Sequence, residues 1–252
     1  SCQTELVAIK VVELVGEAIP GCILQVFMFL KYFSVDGSTS LRPVFSIMCS
    51  AATTGFVSAM ISFDYDVDPA RRKHEPLYYG YIPDSATGRS AVFLCMLING
   101  GLLLLLRSTS FALLLLTRPN YVIGYIGTDM FLYLFQKMIR GDFTYWLPLS
   151  GPAAYVISLL VRILVKFLTD FTGVIQFRHP GELGGAYWSL NMVLAVIVTF
   201  GCTHFYFFLK EGDEESLPQD AVWTGIYALA GSWAVTFATF LKLMKPEFRV
   251  SF

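Results

Sequence analysis

An all-α, polytopic membrane bundle of about six or seven spanning helices, with one re-entrant helix, is the fold this sequence predicts. Three observations carry it. Seven apolar stretches lie along 252 residues, most near the twenty residues a helix needs to cross about 30 Å of hydrocarbon. Apolar residues make up 55% of the chain and charged ones only 15%, where soluble domains carry about a quarter charged. The few charges inside the stretches fall at helical spacings, so each polar helix has one polar side. One membrane domain, 1–252, uses up the length. The start at Ser1, with neither methionine nor a signal pattern, reads as a piece of a longer chain whose first helices are missing.

The stretches run over about 7–31, 43–63, 91–117, 119–139, 147–168, 187–209 and 221–243. In the first, Glu13 and Glu17 are four apart and Gln25 lies eight further on, so all three share a face headed by Lys10. A carboxylate near the bilayer centre costs about 2.5–3.5 kcal/mol even on the lenient insertion scale, so that face needs partners or water. The second is rich in small residues from Ser46 to Ser62, a pattern for close helix packing, and ends at Asp64. The third carries Arg107 between two leucine runs. An arginine cannot deprotonate, so it must snorkel, meet water or find an anion, and Glu13 and Glu17 are the expected anions. Asp129 and Gln136 polarise the fourth stretch and Asn191 the sixth, each as a helix–helix hydrogen bond or a pathway residue.

The fifth stretch begins with Pro148 and Pro152, carries Arg162 and Lys166, and ends at Asp170. Its C-terminal half suits lipid poorly. Charge points to the same place. Basic residues cluster in 64–90 (Arg71, Arg72, Lys73, Arg89) and after Phe240 (Lys242, Lys245, Arg249), whereas 210–220 is acidic. Basic loops prefer the cytoplasm. Seven full crossings would put the two basic regions on opposite sides, and a re-entrant or half-buried helix at 147–168 brings them to one.

Net charge is −1, which gives no invitation to nucleic acid. Five scattered cysteines and three isolated histidines form no zinc or redox spacing. Asp64, Asp66, Asp68 and Glu75 copy the acidic places of a calcium loop. Pro69 stands where that loop needs glycine, and basic residues crowd its middle, so a solvated turn near anionic headgroups is the better reading. With no nucleotide loop, triad or metal cluster, neither enzyme chemistry nor a cofactor is expected.

Glu13, Glu17, Pro20 and Gln25 reproduce the spacing of a motif of the XK-related family, and the first segment resembles it. Ser62-Phe63-Asp64 is similar to the family's Ser-aromatic-Asp ending. Arg107 beside Ser108 is similar to its intramembrane arginine, Tyr187-Trp188 to a late aromatic pair and Lys245-Pro246 to its basic-Pro close. Two departures are Gly21, where members usually carry Gln, and the lack of a caspase-type acidic site in the tail. The resemblance implies a paired-repeat helical domain with re-entrant helices and energy-independent phospholipid scrambling. A zwitterionic headgroup would follow a polar lane of Glu13, Glu17, Gln25, Asp64 and Arg107 while its tails stay in lipid. It also implies another expectation, a scaffold that docks a lipid-transfer partner, and a protein partner that is an accessory subunit or that lipid-transfer protein. The same charges in a closed axial pore would make an ion or solute channel.

Overall fold

A computed structural model describes residues 2–36, 41–74, 79–139, 151–173, 185–211 and 216–249, all helices and short connections with no strand among them. The first run is α1 (Cys2–Glu13), a π-helical turn (Leu14–Ala18) and α2 (Ile19–Asp36). Then come α3 (Leu41–Val67), α4 (Pro69–His74), α5 (Ala86–Thr117), α6 (Pro119–Ile139), α7 (Pro152–Thr172), α8 (Gly185–Leu209), α9 (Gln219–Leu243) and α10 (Pro246–Arg249). Among the described residues six helical spans are long and apolar enough to cross a membrane: Ile9–Phe33, Leu41–Val67, Ala86–Thr117, Pro152–Thr172, Trp188–Leu209 and Gln219–Leu243. The chain is an integral membrane protein built as an all-α polytopic bundle.

α5 is the central post, packed against α2, α3, α6, α7, α8 and α9. Its sequence suits the place. Leu103 to Leu106 and Phe111 to Leu114 are buried on all sides, as a helix apolar all round must be. Glycines decide how closely α3 approaches it. A Cβ on Gly55 would sit 2.3 Å from the Leu97 carbonyl oxygen and 2.9 Å from the Gly101 nitrogen, and one on Gly101 would meet Ala51 O at 3.0 Å. The small residues of α3 therefore do what their pattern predicts, letting two backbones touch. Gly55→Ala is expected to lower the unfolding midpoint in detergent, at about 1–3 kcal/mol for forced overpacking. Gly231→Ala in α9, whose added methyl meets nothing within 4 Å, is the neutral comparison.

The π-helical turn has a local cause. Pro20 cannot donate to Gly16 O, and its ring crowds that carbonyl, so the ladder widens just before it. Ile19 N–H instead bonds Leu14 O, five residues back. The inserted residue shifts the buried stripe, which runs Val7, Val11, Leu14, then Ile19, Cys22, Val26 and Leu30.

Two ends of the bundle can be told apart by contact. At one, Lys245 N–H donates to Tyr81 O at 3.0 Å and its ammonium reaches Asp84 at 2.8 Å. The basic loop and the basic tail thus share one side. At the other end Phe33, Lys210 and Leu217 line one cavity, and Tyr121 packs edge-on against Phe205. α6 starts at this second end and α8 starts in the half near Tyr81, where Trp188 packs on Phe240.

The expected 147–168 helix is corrected in its bounds. Residues 147–150 lie outside those described, and α7 runs unbroken from Pro152 to Thr172, carrying Asp170 inside the helix. α6 is as long but is not among the six spans. α7 ends where Thr172 O would lie 3.0 Å from a Cβ on Gly100, at the middle of α5. Ser58, four residues past the middle of α3, bonds the same carbonyl at 3.3 Å. The helix enters the bundle and stops at mid-height.

Candidate functional site

A cluster of buried charges lies where α5, α6, α7 and α8 converge. Arg107 is 5% exposed and Asp170 4%, and the guanidinium Nη2 lies 3.3 Å from the Asp170 carboxylate. The other guanidinium arm donates to the Tyr125 hydroxyl of α6, and the Phe171 ring lies 5.8 Å below the guanidinium carbon. Lys166, one turn before Asp170, reaches its carboxylate at 2.5 Å and Asp129 of α6 at 2.7 Å. Asn191 of α8 donates to Asp170 Oδ1 at 2.8 Å. Among these four side chains two cations face two carboxylates, so their charges balance. A neutral, multiply bonded group of this kind is how charge survives at mid-membrane depth.

This arrangement overturns the expected pairing of Arg107 with Glu13 and Glu17. Both glutamates are exposed, as is Gln25. The reason is a competition between faces of one helix. The stripe from Val7 to Leu30 packs on the leucines of α5, and a helix that buries this stripe must turn Glu13, Glu17 and Gln25 outwards. Cys22 sits against Ser108, so α2 passes close to Arg107 with its apolar side towards it. The anion comes from α7 instead. Its signal was present as Arg162, Lys166 and Asp170 at intervals of four, one face of a helix, but nothing local tied that face to Arg107. Asn191 and Asp129 are helix–helix partners of this cluster, and the Gln136 side chain lies outside the described residues.

Asp64 is likewise exposed, and the buried carboxylate at the end of α3 is Asp66, 0% exposed. Its Oδ1 accepts from Gly80 N at 2.6 Å and Tyr81 N at 3.3 Å, and its Oδ2 from Ile82 N at 3.0 Å. Arg72 closes the cage, with Nε on Asp66 O at 2.6 Å and Nη2 on the carboxylate at 3.3 Å. Of the calcium-like places, Asp66 is spent on backbone donors and Asp68 bonds Ala70 N at 3.0 Å, while Glu75 lies outside the described residues. No group of three potential metal ligands occurs among the described residues.

Arg72 corrects a second expectation, since it turns inward and not towards headgroups. Its Nη1 holds Asp84 at 3.1 Å. Lys245 and then Arg72 hold the Asp84 carboxyl below the usual carboxylate range. A depressed folded value means the Lys245–Asp84–Arg72 clasp helps at neutral pH and is lost as pH falls through that lowered value. Lys73 remains exposed on the same short helix.

No protein-family model, curated protein or solved structure matches this chain.

Proposed function

We propose that this chain moves phospholipids between leaflets without energy input, along the outward face of its first span. The observation that carries the reading is the exposure of Glu13, Glu17 and Gln25 on a helix apolar enough to cross, Ile9–Phe33. Glu17 is four residues, about 6 Å, from the middle of that span. A bare carboxylate there is too costly in hydrocarbon, so this face is met by water, headgroups or protein. Water and headgroups on a face open sideways to lipid are what a headgroup lane needs, while the tails never leave the bilayer. The resemblance of Glu13, Glu17, Pro20 and Gln25 to the XK-related motif supports the same reading. Arg107 is outside this lane: it holds α7 in place behind it. The clasped basic loop and tail take the cytoplasmic side by the charge rule.

A second reading rests on the sealed Arg107–Asp170 cluster. If the interior is closed and the glutamate face is covered by a partner helix with a basic side chain, the chain is a scaffold.

Reconstitution in liposomes with fluorescent-lipid quenching and an ion-flux control separates the readings. Wild type should exchange lipid. The Glu13→Gln/Glu17→Gln double variant should be slowed far more than Lys73→Ala, because Lys73 only attracts headgroups over a salt-screened distance of about a nanometre. Exchange equal to that of empty liposomes for wild type would remove scrambling and leave the scaffold. Ion flux whose selectivity changes in the double variant would establish a channel.

A further inference from the structure

The helix end of α7 creates a polar site inside an apolar bundle, separate from the lane and from the Arg107 cluster. Beside it lies a cavity of about 20 Å³, room for one water-sized occupant, lined by Ser58, Ser62, Asn99, Thr172 and Gly173. Trp233 and Phe237 wall its other side. Gly100 keeps it open, because a Cβ there would lie 3.0 Å from both Ser58 Oγ and Thr172 O.

Three of the donors around this space are already committed. The Ser58 hydroxyl points at Gly55 O, 3.4 Å away, and Thr172 O, 3.3 Å away. Thr172 donates to Leu168 O at 2.7 Å, and Trp188 Nε1 to Gly173 O at 3.3 Å. Beside them the Asn99 amide and the Ser62 hydroxyl can each turn an oxygen lone pair to the space. Asn99 Oδ1 is buried with no hydrogen-bond partner, and Ser62, 2% exposed, can turn its oxygen inward. The carbonyls that close a helix carry partial negative charge, and this helix closes at mid-height, where little water competes. Among the described residues no Lys or Arg lines the space.

We propose that this cavity binds one dehydrated monovalent cation. Oxygen ligands without a carboxylate suit a single charge better than calcium or magnesium, which gather carboxylates or keep their waters. Helix C-terminal ends at membrane mid-depth hold such ions for the same electrostatic reason. The bound ion would tie α3, α5 and α7 together where α7 stops.

The test is thermal unfolding of the whole purified chain in detergent, in sodium, potassium or choline chloride at equal ionic strength. Sodium or potassium should raise the midpoint with concentration, as a ligand of the folded state does, and choline should not. Asn99→Leu should lose that rise and Asn99→Asp should strengthen it. Should Asn99→Leu not fold, Ser62→Ala should shift the midpoint of the rise to higher salt. Equal midpoints for wild type in all three salts would overturn the proposal and leave a water in the cavity. A full salt-dependent rise retained in a folded Asn99→Leu protein would overturn it too, by placing the ion elsewhere.

Discussion

Asp170→Ala should cost about 3–5 kcal/mol of stability, the range for breaking a buried pair. It should show as loss of the monodisperse species in detergent. The geometry makes Asp170 the worst member to lose. Without Arg107, Asp170 still holds Lys166 at 2.5 Å and Asn191 at 2.8 Å. Without Asp129, Lys166 still holds Asp170. Without Asp170, Arg107 keeps, among the described residues, the Tyr125 hydroxyl, ring faces and the more distant Asp129 carboxylate, and a buried guanidinium cannot neutralise itself. Asp129, whose side chain is 37% exposed, should cost far less. A cycle of Arg107→Met and Asp170→Asn should recover part of the loss, since two buried charges replaced together leave neither stranded. Glu17→Gln should give Arg107→Met no such relief, because Glu17 faces outward. Relief by Glu17→Gln would restore the glutamate–arginine pairing and displace Asp170.

That reversal shows which level of structure the sequence carries. The spans were legible because a bilayer demands runs of apolar residues, and 43–63, 119–139, 187–209 and 221–243 fall on α3, α6, α8 and α9 within a few residues. Ends were missed where helical hydrogen bonding continues into polar sequence, as at Ala86 ahead of the apolar run of α5. The contact between the loop 64–90 and the tail was legible as a side of the membrane, from basic residues alone. The choice of partner for Arg107 was not. Glu13 and Glu17 lie on one face whichever way the helix turns, and the turn was decided by apolar area against α5 and by one residue inserted before Pro20. The likeness of Asp64 to a motif residue hid Asp66, two places on, because its partners are backbone N–H groups of a loop fourteen to sixteen residues away.

Asp66 is where the second large effect belongs. Asp66→Ala strips the acceptor from Gly80, Tyr81 and Ile82 and leaves Arg72 without its buried carboxylate. A buried donor left unmade costs about 1–3 kcal/mol, so three together reach about 4 kcal/mol even if water enters from the membrane surface to relieve some. The loss should also travel. Tyr81 O holds Lys245 N, and the Tyr81 ring packs on Phe240 at 6.3 Å, so a loosened 79–82 turn frees the end of α9. The expected result is faster deuterium uptake at 79–84 and 244–249 together, with the α3–α5 crossing at Gly55 unchanged. Asp66→Asn keeps the shape and one carbonyl oxygen, so it should fall between wild type and alanine, with the Arg72 contact the main loss. Uptake confined to 79–84, with the tail still protected, would show that α9 and its tail hold their place without the cage.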